Sequence, residues 1–493
     1  MIKINQSVLN SNIKTGNSLF YNTLRIFVTL GFPFILVPYI SRVFSVEQIG
    51  VYNWSLSLVN YLIIITGVSF PIIGIRELSK AKKQANEINS IITDILYVRI
   101  ILFLIAFSFT LGVVLMTNKF SDNSLIILIL STLIIFEILA HEWIFISYGN
   151  YRSILIRSFI SKLVLIILTF VFVKGVEDLI LFVCFYSFSM FLSSFLGFNY
   201  LFTSFKPNLH KANFFRYFSM DTLKSFFLNI LMSFYGKLDI LLIAIILSPR
   251  DLGLFSNAYK IIVLALVFIT SWTMVLLPKS VKNKDNDEDF NKIINWSIDL
   301  VLVFGIYFSI NIIIFSKSII SIIFGDNFID ATIFLQLLAP IIVLISVYNV
   351  IVYQVLFAKD IYKEVLRFFT AVYIIGVLGI FFLYSWIGLN GAILVLIFMN
   401  LIQLVIAIYY LVKRTSINIF NLNKLKILIG AVMLVLFGIA TKYFNIEKIP
   451  EIAMFICISI FVFFGVLLLL KENILLQIVK LIKLNYVKIK GSN

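Results

Sequence analysis

The chain has 493 residues, of which 61% are hydrophobic and 13% charged, and its formal net charge is +16. An ordinary soluble domain carries about 25% charged residues, and no soluble fold of this length could bury so much apolar side chain, so lipid must cover much of it. The apolar runs reach about 20 residues, the length of a membrane-spanning helix. A transmembrane barrel is thereby excluded, because its strands alternate over only about 10.

Residues 1–18 are polar and mixed. The first apolar run starts at Leu19, is too long for a signal peptide and lacks a small-residue cleavage site, so it is expected to remain in the mature protein. Fourteen spans are expected, near 19–40, 48–72, 90–116, 124–147, 154–173, 179–203, 219–247, 254–278, 294–316, 331–357, 364–384, 389–412, 425–444 and 451–470. With a cytoplasmic N-terminus, about 27 Lys and Arg outside the spans fall on the inner side and about 7 on the outer. That is the asymmetry of the positive-inside rule, so both termini are expected in the cytoplasm. The positive charge is thus mostly topology and calls for anionic lipid headgroups rather than nucleic acid.

The stretch Ser45 to Tyr52 aligns with Ser248 to Phe255, each on an outer loop that opens a helix. Each loop follows the first helix of a six-helix block, and an even block length inserts both halves in one orientation. The expected fold is therefore all-α and integral to the membrane. It has an N-terminal six-helix lobe over 1–205, a second over 206–415, and two added helices with a basic tail over 416–493. No connection is long enough for a soluble catalytic domain; the longest outer one is read as 317–330.

Three blocks then resemble one known family. The first is Pro38-Tyr39-Ile40-Ser41-Arg42-Val43, with Gly50-Val51-Tyr52 and Gly74-Ile75-Arg76-Glu77 after it. The second is Lys237-Leu238-Asp239-Ile240-Leu241 followed by Gly253 to Lys260. The third is Phe324-Gly325-Asp326-Asn327-Phe328 leading to Ala339-Pro340. In this order the chain resembles the polysaccharide-type flippases of the MATE-like superfamily, departing at Phe44-Ser45, where the family usually carries Leu-Gly. The resemblance implies an inner-membrane exporter of O-antigen or capsule repeat units. Its substrate would be an undecaprenyl-diphosphate-linked oligosaccharide, coupled to protons or sodium and handed to polysaccharide polymerase machinery.

An ionisable side chain at membrane depth is costly, so it usually faces the bundle interior or a wet cavity. Arg157 and three other bases are set aside as span-edge residues. Inside the spans stand Arg25, Arg99, Lys162, Lys224, Lys237 and Lys260, with Asp94, Glu137, Glu142, Asp221, Asp239 and Asp299. Lys162, Asp94, Asp221, Glu142 and Asp299 lie near cytoplasmic ends, where snorkelling explains them. Arg25, Lys224, Lys237 and Lys260 form the candidate cationic cavity for a diphosphate. The plainer alternative is that Lys237 and Lys260 pair with Asp239 or another acid to tie helices together.

Glu137 and His141 stand four residues apart and would share a helix face. They read either as a hydrogen-bonded structural pair or as a proton relay. The acids of 284–289 read as a solvated loop. Pro33, Pro38, Pro71 and Pro340 are expected to kink or end helices. Cys184 and Cys457 lie in apolar runs, and nothing clusters as metal ligands, so no disulfide, metal or cofactor is expected. Two other functions remain in view, a small-cation or drug exporter and a membrane polysaccharide polymerase. An anionic cavity would mark the first and a large outer catalytic loop the second, whereas a transporter rather than an enzyme fits the residues best.

Overall fold

Within a bilayer every backbone N–H and C=O must be satisfied inside the protein, and a chain of long apolar runs meets that demand as helices. The computed structural model describes residues 15–67, 69–80, 85–116, 124–204, 243, 246–359, 362–415, 417, 422–441, 449–473 and 475–476. These residues contain 13 helical stretches long and apolar enough to cross a membrane. They match the expected spans, except for the seventh, 219–247, which lies almost wholly outside the described residues.

The chain divides into two compact units, Met1–Gly253 and Leu254–Asn493. In the first, the described helices are α1 (Thr15–Val43), α2 (Val46–Gly67), α3 (Ser69–Lys80), α4 (Ala85–Met116), α5 (Ser124–Ala140), α6 (Glu142–Ser147), α7 (Tyr151–Phe172) and α8 (Leu179–Ser204). Helix α5 packs on α2 and α8, and α7 packs on α1 and α8. Ile73 of α3, Ile88, Ile91, Ile92 and Ile95 of α4, and Trp143 and Ile144 of α6 form a shared apolar core. Pro33 and Pro38 fall inside α1, which nevertheless continues to Val43.

Helix α9 (Pro249–Lys282) begins at the division, and the second unit continues with α10 (Asp287–Phe324), α11 (Ala331–Leu338) and α12 (Ile341–Asn349). A π-helical segment, Val350–Leu356, follows, then α13 (Tyr362–Ile387), α14 (Leu389–Arg414), α15 (Leu422–Thr441) and α16 (Ile449–Leu469). The hairpin α15–α16 packs on α10 through Val303, Tyr307, Ile427, Leu434, Phe463 and Leu467. The Tyr307 hydroxyl lies 3.2 Å from the Ser459 hydroxyl within this contact.

Large apolar side chains also cover the outside. Trp386 is 87% exposed, Leu469 84% and Phe461 78%, an arrangement that hydrocarbon tolerates and water does not. Some sequence expectations change. Helix α10 runs on to Phe324, so the connection read as 317–330 shrinks to Gly325–Asp330, half of it one 3-10 turn. The acids at 287–289 open α10 instead of lying in a loop; Asn286 accepts the Asp289 amide, and the acids complement the helix dipole. Asp94 and Asp299, expected to snorkel, are 1% and 3% exposed. Asp299 is instead ion-paired with Lys424 at 3.2 Å, a pair that links α15 to α10.

Candidate functional site

The expected fourth span is two helices. Helix α5 ends at Ala140 and α6 starts at Glu142, with His141 between them in the left-handed region at φ 49° and ψ 34°. A side chain with a Cβ adopts that region at a cost of about 1–3 kcal/mol, and it persists only where neighbours fix it. Glu137 and His141 are therefore not on one continuous helix, and the shared face inferred from their spacing stops at the break.

Four basic residues converge on this break from other helices. The Arg157 guanidinium, from α7, donates from Nη1 to the Ala140 carbonyl at 2.6 Å and stacks 4.6 Å above the Phe145 ring of α6. Its Nη2 stands 3.6 Å from Glu142 Oε1. The other Glu142 oxygen faces Arg25 Nη1 of α1, also at 3.6 Å, and Arg25 Nε donates to Asn22 Oδ1 at 3.2 Å. Arg99, from α4, reaches the Glu137 carbonyl at 3.4 Å and lies within electrostatic reach of the Glu137 carboxylate, as does Arg157. Lys162, half-buried five residues after Arg157 on α7, lies within electrostatic reach of Glu142.

Arg99 and Arg157 are 2% and 3% exposed, whereas the Arg25 and Glu142 side chains are 27% and 39% exposed. Arg99 Nε, Arg157 Nε and His141 Nε2 are buried without a hydrogen-bond partner among the described residues. Among the described residues the cluster thus sets Arg25, Arg99, Arg157 and Lys162 against Glu137 and Glu142, an excess of positive charge within helices long and apolar enough to cross a membrane. Such an excess attracts an anion strongly, because the surroundings screen it poorly.

The second unit carries a different polar site. Lys260 is half-buried and donates to Asn257 Oδ1 on its own helix at 3.0 Å; among the described residues that amide is its hydrogen-bond partner. Further along α9, Gln354 of the π-helical segment donates to the Thr273 carbonyl at 2.9 Å and accepts from the Ser297 hydroxyl at 2.9 Å. Thr270, Thr273, Leu277, Asn349, Tyr353 and Gln354 line a cavity of about 20 Å³, room for one water. A π-turn inside an α-helix widens the backbone ladder and recurs at functional sites.

Of the four expected cavity bases, Arg25 and Lys260 are described, one in each unit; Lys224, Lys237 and Asp239 lie outside the described residues. The family-motif residues do structural work. Arg42 closes onto the Pro38 carbonyl at 3.2 Å, and Tyr52 is buried edge-on against Phe182 and Tyr186. Arg76 bonds its neighbour Glu77 at 3.1 Å in an exposed position. Gly325 caps α10 at φ 88°, and Pro340 precedes α12.

The two aligned glycines meet each other's loops inside the first unit. A Cβ on Gly50 would stand 1.7 Å from the Pro249 carbonyl oxygen, and one on Gly253 would stand 2.1 Å from that of Val46. Val46 and Pro249 occupy equivalent places in the repeat, so the contact is reciprocal. Sequence reasoning missed Arg157, set aside at a span edge, and read Glu142 as a snorkelling acid. It also passed over Gln354, whose amide in an apolar run was the available signal.

Comparison with known proteins follows the same lines. Residues 16–284 match the family described as "Polysaccharide biosynthesis protein". Two relatives share the name "Putative O-antigen transporter". That of Escherichia coli (strain K12) is 22% identical over 355 residues, covering 71% of this chain and 85% of its own. That of Shigella dysenteriae is 28% identical over 181 residues, covering 36% and 45%. Among solved structures, lipid II flippase MurJ in an inward closed conformation superposes with a TM-score of 0.70 at 17% identity. The match covers 94% of this chain and all of that one. An inward-facing multidrug-resistance MATE transporter of the MOP superfamily gives 0.61 at 13% identity, covering 80% and 97%. The fold is that of the MurJ and MATE transporters.

Proposed function

Because this chain belongs to the polysaccharide biosynthesis protein family, we propose that it is a flippase for lipid-linked oligosaccharides. The substrate is an undecaprenyl-diphosphate-linked repeat unit of O-antigen, capsule or exopolysaccharide, moved from the cytoplasmic to the outer leaflet of the bacterial inner membrane. Both termini lie in the cytoplasm. Transport proceeds by alternating access, with 1–205 and 206–415 as six-helix lobes and 416–493 as an addition. The protein is a transporter, and its product passes to polymerase machinery.

The observation that carries this reading is the excess of positive charge at the His141 break, where, among the described residues, four bases face two carboxylates within candidate membrane spans. A diphosphate offers oxygens that Arg and Lys pair with, and a cation exporter would need the opposite sign. Arg25 and Lys260, with Lys224 and Lys237, hold the diphosphate, while apolar walls face the polyprenyl tail. Asp239, Glu137 and His141 are assigned to ion coupling or helix pairing, with a proton or sodium gradient as the driving force.

The test is reconstitution of the purified protein in liposomes with a labelled undecaprenyl-diphosphate oligosaccharide, scoring headgroups that become accessible in the opposite leaflet. Protein-dependent accessibility supports the proposal. Its absence with several repeat units, under an imposed proton or sodium gradient, would leave the small-molecule exporter as the better reading.

A further inference from the structure

Glu142 stands between two arginines that the rest of the protein holds unequally. Arg157 is buried and fixed by the Ala140 carbonyl and the Phe145 ring; its Nη2, which has no hydrogen-bond partner among the described residues, meets Glu142 Oε1 at 3.6 Å, the same distance at which Arg25 meets Oε2. Gly197 of α8 leaves the room it needs, since a Cβ there would fall 2.0 Å from Arg157 Nη1. Arg25 is part-exposed, meets Glu142 Oε2 at 3.6 Å without a hydrogen bond, and is otherwise held by Asn22. A long, part-exposed pair of this kind is weak, whereas a phosphate oxygen offers Arg a short, bidentate partner.

We infer that Glu142, anchored by Arg157, is a displaceable stand-in anion for Arg25. It holds the guanidinium in place while the site is empty and gives it up to the diphosphate. Arg157 is then a positioning residue, acting on substrate only through Glu142. The inference rests on the flippase reading and adds to it a built-in competitor that weakens binding and speeds release. A site without that competitor binds more tightly and turns over more slowly.

The test measures binding of undecaprenyl diphosphate, without sugar, to the full-length protein in nanodiscs, alongside flipping rates. Glu142→Gln should bind about one-and-a-half- to fivefold more tightly, the range a weak competing ion pair allows. It should also lower apparent KM and turnover together. In an Arg25→Gln background the same change should have no effect, because the competition has no object. If the unaltered protein binds and Glu142→Gln binds equally or less tightly, the stand-in role is overturned while the flippase reading stands. If the unaltered protein neither binds nor flips, both are overturned.

Should Glu142→Gln not fold, residue-resolved labelling of the unaltered protein decides. Bound undecaprenyl diphosphate should slow dicarbonyl modification of Arg25 and speed carbodiimide modification of Glu142. Any other pair of directions contradicts displacement.

Discussion

Replacing Gly197 by alanine tests the packing on which the His141 break depends. The added methyl would stand 2.0 Å from Arg157 Nη1, 2.5 Å from the Ala140 oxygen and 3.3 Å from the Ala140 carbonyl carbon. The carbonyl belongs to the last residue of α5 and cannot turn away, so the guanidinium must leave and the α8 backbone must also draw back from the Ala140 oxygen. Overpacking of this kind costs about 1–3 kcal/mol. Losing a charged hydrogen bond between helices adds about 1–2 kcal/mol, at the upper end for membrane interiors. The sum is about 2–5 kcal/mol, a fall in melting temperature of about 5 °C or more for a unit of this size.

Intrinsic tryptophan fluorescence on heating reads this directly, because Trp143 lies in α6, beside the break. The variant Arg157→Met should be destabilised as well. The double variant should melt close to the worse single one, since both remove the same bond. Gly197→Ala melting within about 1 °C of the parent would show that Arg157 can withdraw freely, and the account of the break would fail.

Three further outcomes are expected in the same assay. Gly50→Ala should destabilise by about 3 kcal/mol or more, because its methyl meets backbone at 1.7 Å, whereas Gly31→Ala, with open space around it, should be neutral or stabilising by up to about 1 kcal/mol. Gln354→Leu should cost about 1–2 kcal/mol, since the Thr273 carbonyl loses its donor while Ser297 keeps the Ile293 carbonyl. Asp299→Asn and Lys424→Met should each destabilise, with a coupling of about 1 kcal/mol or more in a double-mutant cycle; additivity would show that the ion pair does not fasten α15 to α10.

Much of the fold was legible because lipid imposes a simple code. A run of about 20 apolar residues is a span. The two aligned loop glycines were legible for a physical reason as well. Gly50 and Gly253 must be glycine where backbone meets backbone, and so they stand out against Val, Leu and Phe. The break at His141 left no such mark, for neither proline nor glycine occupies it. It arises because Arg157, sixteen residues further on, takes the Ala140 carbonyl. Tertiary contacts of that kind have no local signature, and for the same reason Arg157 looked like a span-edge residue and Glu142 like a snorkelling acid. Arg25 was recognised by its charge at membrane depth, but its partner could not be. The π-helical turn at 350–356 was equally silent, although a lone glutamine in an apolar run hinted at the polar contacts it makes.

The central claim is that cations at membrane depth carry a lipid diphosphate across the bilayer. Its most direct test is the initial rate at which labelled undecaprenyl-diphosphate oligosaccharide changes leaflet in liposomes, compared among the intact protein, Arg25→Gln and Lys260→Gln. The account predicts rapid, protein-dependent exchange that either neutralisation slows by at least about tenfold, the loss of one charge-assisted contact, in protein that still melts as the parent does. Exchange at the parental rate in both variants would contradict it.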